Sequence, residues 1–134
     1  TYYFTDKEDL LIETIRELRE ESDREFREIL SEQLPVLGDA GAIARMVEIV
    51  TNEWREKFLA GYGVYLSNFS QDNLRREIQQ WHEESLLLMR DHFGPKYGFA
   101  LSCLVEGLLL RAIIGDVRYT AAEILPEIRR VVPQ

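Results

Sequence analysis

Apolar side chains recur every three or four residues along almost the whole chain, which is the spacing of one face of an α-helix. The first such face includes Leu11, Ile15, Leu18, Phe26 and Leu30. No run alternates apolar and polar residues as a half-buried strand does, and no Asn-Gly or Asp-Gly pair marks a hairpin turn. The sequence therefore predicts an all-α protein.

Capping signals and breaks place the first two helices. Thr5-Asp6-Lys7-Glu8 is a capping box that starts the first helix. This helix is predicted to end just before Pro35. The second helix is predicted over about 40–60, ended by the two glycines that follow. Residues 61–69 are then expected to form a short aromatic connection.

Three further helices follow, and together the five are expected to pack as an antiparallel bundle. The third is predicted to start at Ser70. Pro95 is well placed as the first residue of a fourth helix over about 95–114. The fifth begins with a second capping box, Thr120-Ala121-Ala122-Glu123, and is predicted to continue to the last residues.

The fourth helix is apolar nearly all round, so it must bury two faces, one of them outside its own bundle. Glu106 and Arg111 argue against a membrane span. We therefore predict a two-fold homodimer formed by the last two helices. Because both faces of the fourth helix are apolar, the sequence leaves open which one meets the partner. The residues assigned to this interface are Leu101, Val105, Leu108, Ala112, Ile124, Leu125, Ile128 and Val132.

Charge and cysteine content narrow the class of protein. The 134 residues carry a net charge of −8, so the chain does not bind nucleic acid by bulk electrostatic attraction. Cys103 is the only cysteine, which favours a reducing compartment and a cytoplasmic location. We expect Cys103 to be a small buried hydrophobic residue rather than a sensor thiol.

Catalytic and metal-binding patterns are not found in the sequence. A di-iron bundle needs Glu three residues before His, and neither His82 nor His92 has it. One Cys and two His are too few for a typical zinc site, and no Gly-rich phosphate loop or Gly-x-Ser-x-Gly turn is present. We predict no cofactor and no enzymatic activity, although a nucleophile assembled from distant residues stays open.

Aromatic residues concentrate in the middle of the chain, including two Trp and several Tyr. Such residues can be plain core, or they can line a pocket for an apolar or aromatic ligand. His82 has the same two interpretations: a boundary residue beside Trp81, or the polar anchor of that pocket. His92, near a helix end, is expected to be a boundary residue.

The segment YYFTDKEDLL resembles the end of the helix-turn-helix domain of tetracycline-repressor-like (TetR-family) regulators. The later stretch LVEGLLLRAIIGD looks like the dimerisation helix of that family, and TAAEILPEIRRVV looks like its partner helix. The resemblance implies that residues 1–4 are a remnant of the recognition helix. It implies that 5–134 form the domain that binds a ligand and dimerises.

The family resemblance also assigns roles to residues at the start of the chain. Tyr2 and Tyr3 match positions that touch the DNA backbone, and Lys7 matches a lysine that pairs with a phosphate. Thr1 departs from the pattern, since many members have Tyr there. Base readout of the operator would lie in a preceding domain.

The resemblance implies a bacterial, homodimeric transcriptional regulator, expected to be a repressor, controlled by a small apolar or aromatic effector. Effector binding would shift the first helix and move two recognition helices out of their spacing of about 34–36 Å. The residues assigned to the effector pocket are Trp54, Phe58, Tyr62, Tyr65, Trp81, His82, Ser85, Met89 and Cys103. Two alternatives stay open: an adaptor bundle that binds another protein without an effector, and a small-molecule enzyme or carrier.

Overall fold

The computed structural model describes residues 6–67 and 70–133 of the chain. The helices within these residues are α1 (Lys7–Asn52), α2 (Arg55–Ser67), α3 (Asp72–Phe93), α4 (Pro95–Ile114) and α5 (Ala121–Arg129). No strand occurs in the same two ranges, so the prediction of an all-α protein with five main helices is confirmed.

Helix α1 is one element with a kink at Gly38, where φ is 73° and ψ is −179°. A positive φ is readily adopted by glycine, so the break falls there and not before Pro35 as predicted. Pro35 stays inside the helix on an exposed turn, where water can satisfy the carbonyl that loses its partner. We call residues 7–37 the first arm and residues 39–52 the second arm of α1.

The start of α1 differs by one residue from the predicted capping box. Asp6 is the N-cap, and its Oδ1 accepts a hydrogen bond of 2.8 Å from the backbone N–H of Asp9. Thr5, the predicted cap, lies outside the described residues. The local signal for a helix start was therefore correct to within one position.

The predicted second helix over 40–60 is wrong in extent. It ends at Asn52, and α2 then runs from Arg55 to Ser67, through both glycines that were taken as terminators. Gly61 is buried, and a Cβ there would lie 2.3 Å from Cδ2 of Leu18. Gly61 thus lies where α2 packs closely on α1, and a larger residue there would require Leu18 to move, which local sequence does not reveal.

The remaining boundaries follow the predictions closely. Helix α3 begins at Asp72 after Gln71, two residues later than predicted. Pro95 occupies the first turn of α4, and Oγ1 of Thr120 accepts a hydrogen bond from the backbone N–H of Glu123 at the start of α5. Helix α5 ends at Arg129, short of the predicted continuation. Residues 68 and 69, at the end of the predicted aromatic connection, lie outside the described residues.

Helix contacts give the arrangement of a bundle. Helix α3 packs on α4, and α1 contacts each of the other four helices. The second arm of α1 supplies Ile43, Met46 and Val47 to the main core, where Leu101 of α4 and Ile128 of α5 are also fully buried. The second arm is therefore the central element of the bundle.

Helix α4 is the one described helix that is long and apolar enough to cross a bilayer, with a mean hydropathy of 1.7. A core helix of a bundle has the same composition. One face of α4, including Leu101, Val105 and Leu109, lies in the core, while Phe99 and Ile114 are exposed. The prediction that α4 does not span a membrane stays a prediction.

Candidate ligand pocket

A small cavity lies where α3 and α4 pack together beside α2 and the first arm of α1. Its volume is about 50 Å³, enough for a few water molecules but well below the several hundred Å³ of a drug-sized site. The lining residues are Phe26, Phe58, Trp81, His82, Ser85, Leu88, Met89, Ser102, Val105, Glu106 and Leu109.

An open groove adjoins this cavity on the solvent side, with a volume of about 390 Å³. Its lining residues are Tyr62, Tyr65, Leu66, His82, Cys103, Glu106, Gly107 and Leu110. His82 and Glu106 line both spaces and therefore stand at the boundary between the closed cavity and the open groove. We call the cavity and the groove together the α2–α4 site.

The polar centre of the α2–α4 site is a contact between α3 and α4. Nε2 of His82 lies 2.6 Å from Oε1 of Glu106, and both side chains are partly exposed. The hydrogen bond to Glu106 raises the pKa of His82, and partial burial opposes that increase. His82 therefore carries a proton at higher pH than an ordinary histidine does.

Two tyrosines extend this polar centre into the groove. Burial raises the pKa of the Tyr62 hydroxyl, and the nearby Glu106 carboxylate adds to the increase. Tyr62 therefore stays uncharged and can donate a hydrogen bond. The ring of Tyr65 meets the ring of His82 edge-on, with centroids 6.4 Å apart.

An aromatic array connects the cavity to the first arm of α1. The ring of Phe26 stacks on Trp54 and on Phe58, at centroid distances of 5.8 Å and 5.9 Å. Phe58 in turn lies 6.3 Å from Trp81 of α3. A change in the cavity that moves Phe58 thus acts on Phe26, and one that moves Trp81 acts on it through Phe58.

The structure brings together most of the residues predicted to bind the effector. Five line the cavity: Phe58, Trp81, His82, Ser85 and Met89. Three more line the groove but not the cavity: Tyr62, Tyr65 and Cys103. Trp54 lines neither space and instead stacks behind Phe58. Cys103 is exposed, which corrects the expectation that it would be buried.

Sequence reasoning missed Glu106 and Phe26. Glu106 was used only as an argument against a membrane span, although a lone acid in an apolar helix is itself a signal of a functional position. Phe26 was taken as part of the core face of the first helix, and it does lie in the core while also lining the cavity.

The face of α4 that was assigned to the dimer is the core face. Leu101, Val105 and Ala112 are buried within the single chain, and Val105 lines the cavity. Ile124, Ile128 and Val132 are buried as well, while Leu108 and Leu125 are partly buried against the core. A side chain already buried in its own chain adds little area to an interface. The exposed residues of α4 instead include Lys96, Phe99, Ala100, Cys103, Gly107, Arg111 and Ile114.

The residues predicted to contact DNA lie at the start of the chain. Tyr2 and Tyr3, and the whole predicted remnant 1–4, lie outside the described residues. Lys7 is the first residue of α1, and its side chain is exposed.

No known family model, curated protein or solved structure matches the chain. Within 6–67 and 70–133, no three His, Cys, Asp or Glu side chains are grouped in a way that could hold a metal ion. No relative therefore indicates what the α2–α4 site binds, and its chemistry follows from the residues that line it. The site offers aromatic surface, two tyrosines and one ion pair, which suits binding of a small molecule with an apolar body and a polar group.

Proposed function

We propose that this chain is the effector-binding and dimerising domain of a TetR-type transcriptional regulator, acting as a repressor. The observation that carries the proposal is the position of Phe26. Phe26 belongs to the first arm of α1 and also lines the cavity between α3 and α4. In the resemblance drawn from the sequence, the first arm is the helix that leads directly from the DNA-binding domain.

The cavity is smaller than a typical effector, so an effector that enters it must displace side chains. Phe26 of α1 and Trp81 of α3 both line the cavity. The ring centroid of Phe58 lies 5.9 Å from that of Phe26 and 6.3 Å from that of Trp81. Displacement of Phe26 tilts the first arm and with it the domain attached before Lys7. A coupling free energy of about 1–3 kcal/mol is enough to change operator occupancy strongly.

The effector pocket is tested by a thermal-shift screen of aromatic and lipophilic compounds. We expect Phe58→Ala and Trp81→Ala to lower the affinity of every compound that binds the wild type by about tenfold or more. Leu87→Ala is the matched control, because Leu87 lies on α3 but is exposed and lines neither space. Unchanged affinity in both variants would place the binding site elsewhere.

The homodimer is proposed to use the two ends of the exposed face of α4, at Phe99 and Ile114, because Cys103 and Gly107 between them line the groove. Phe99 and Ile114 are among the most exposed large apolar side chains of the described residues, at 62% and 67%. Phe99→Asp places a charge in the proposed interface and is expected to convert the dimer to a monomer in light scattering. Leu87→Asp, an equally drastic change on α3, is expected to leave the dimer intact. A wild type that is monomeric at micromolar concentration contradicts the proposal.

The link to DNA is tested on the coding sequence that precedes Thr1. A basic helix-turn-helix pattern there supports the regulator. Its absence removes the basis for a repressor and leaves only a helical ligand-binding or adaptor domain. With the complete protein in hand, operator release on adding a thermal-shift hit is the direct functional measurement.

A further inference from the structure

We propose that the α2–α4 site selects a lipophilic organic cation, an amine or quaternary ammonium ion, whose charge lies against Glu106. The apolar body of the cation lies among the rings of α2 and α3. The inference rests on the proposed effector-binding function and adds to it the chemical class of the effector.

The first argument is the charge of the lining. Across the cavity and the groove, the described lining residues include Glu106 as the one permanently charged side chain, with no Lys or Arg. The buried Arg19 is held by Glu77 and Glu84 on the α1 side of α3. An anion would therefore meet the Glu106 carboxylate with no permanent positive partner, whereas a cation gains an opposite charge.

The second argument is the arrangement of rings around that carboxylate. Tyr62, Tyr65, Trp81 and His82 line one narrow space beside Gly61, adjacent to the groove that Glu106 lines. The faces of Trp and Tyr rings attract organic cations, and the attraction grows when the cation leaves water. Tyr62 is half-buried and uncharged, so its ring offers an apolar wall and not a competing anion.

The third argument is that His82 already occupies the position of the cation. Its imidazole lies 2.6 Å from Glu106 and binds it most strongly when protonated. A ligand cation that pairs with Glu106 replaces protonated His82, which then turns to solvent or releases its proton to water. Binding of the cation therefore competes with protonation of His82.

Other titratable groups also face this pair. Among the described residues they are Tyr62 and Tyr65 from α2 and Cys103 from α4, while α1 contributes Phe26 to the lining. The proton that competes with the cation for Glu106 is the one on His82. Between pH 6 and pH 8, affinity for a cation is thus expected to rise with pH.

The test uses three probes of similar size with the full chain: phenyltrimethylammonium, its uncharged carbon isostere tert-butylbenzene, and benzoate. Tryptophan fluorescence reports binding, because Trp81 lines the cavity. We expect the cation to bind about tenfold more tightly than either other probe. Glu106→Gln should remove this preference and leave tert-butylbenzene affinity unchanged. Glu83→Gln, which removes one exposed acid from α3 outside the site, should preserve it.

The pH profile gives a second measurement that does not depend on the Glu106 variant folding. We expect cation affinity of the wild type to rise from pH 6 to pH 8. In His82→Gln the affinity should be higher at pH 6 and flat across the range, because the competing proton is gone.

Two outcomes separate the inference from the function on which it rests. If tert-butylbenzene or benzoate binds as tightly as the cation, or the wild-type profile is flat, the inference is overturned and effector binding stands. If none of the three probes binds, both the cation inference and the effector pocket are overturned.

Discussion

Helix α3 is held on its two sides by contacts of different kinds. On the α1 side, the guanidinium of Arg19 is almost fully buried, with Nη1 2.9 Å from Oε2 of Glu77 and Nε 3.2 Å from Oε2 of Glu84. On the α4 side, His82 meets Glu106 at the edge of the groove, where both side chains are partly exposed.

The two sides differ in whether the charges that form the contact change with pH. Arginine keeps its charge throughout the accessible pH range, and its burial makes loss of a partner costly. Histidine changes charge near neutral pH, and an exposed pair contributes little free energy. The α1 side is thus built as a fixed attachment of α3, whereas the α4 side can be rearranged by a proton or a ligand.

The largest expected effect is loss of the α1-side attachment. Arg19→Ala leaves the carboxylates of Glu77 and Glu84 without this buried partner, and we expect the free energy of unfolding to fall by about 3 kcal/mol. Urea denaturation followed by circular dichroism measures it. The control is Arg75→Ala, whose exposed pair with Asp72 predicts a loss below about 1 kcal/mol. Equal losses in the two variants would remove the contrast between buried and exposed contacts.

An intermediate effect is expected where α4 comes closest to α3. A Cβ at Gly98 would lie 2.5 Å from Cγ and 2.9 Å from Cα of Arg90, so backbone must move to admit it. We expect Gly98→Ala to lower the free energy of unfolding by about 2 kcal/mol. Gly63→Ala, in a helix with open space around it, should instead stabilise by about 0.5–1 kcal/mol. If Gly98→Ala leaves the free energy of unfolding unchanged, α4 can shift along α3 at this end.

The smallest effect is the pH dependence of the α4-side pair. Because the pKa of His82 is raised in the folded chain, its pairing stabilises fully below the ordinary histidine value of about 6.5 and is lost as pH rises through the raised value. The unfolding free energies of wild type and Glu106→Gln should therefore differ by about 0.5–1 kcal/mol near pH 6 and converge at higher pH. The Arg19→Ala loss should stay constant over the same range. If the difference in unfolding free energy between wild type and Glu106→Gln does not change with pH, protonation of His82 does not contribute to stability through this pair.

Local signals predicted those parts of the fold that depend on neighbouring residues. Pro95 and Thr120 mark the starts of α4 and α5 because a fixed φ and a side-chain cap act within one turn. The extent of α2 was missed because Gly61 was taken as a helix end. It instead lies inside α2, where the backbone packs closely on Leu18 of another helix. From sequence alone, a glycine that ends a helix cannot be distinguished from a glycine that allows two helices to pack closely.

The candidate site was predicted in composition but not in its polar centre. Aromatic residues of 54–81 identified the ring-bearing part of the lining, because bulky rings with few polar atoms are a compositional signal. His82 and Glu106 are 24 positions apart and meet only once α3 and α4 pack together. The face of α4 was equally ambiguous, since Val105 and Phe99 are both apolar and burial alone separates them.

The kink at Gly38 gives the chain a place that can be labelled. Pro35, Val36 and Leu37 beside it are exposed, and the second arm beyond it is buried from Ala40 onward. The two arms meet at one non-helical residue, so a change in two dihedral angles alters the angle between them. A fluorophore on each arm, one of them at position 36, would read that angle as a distance. That distance would then report the angle at the kink in a measurement that needs no DNA.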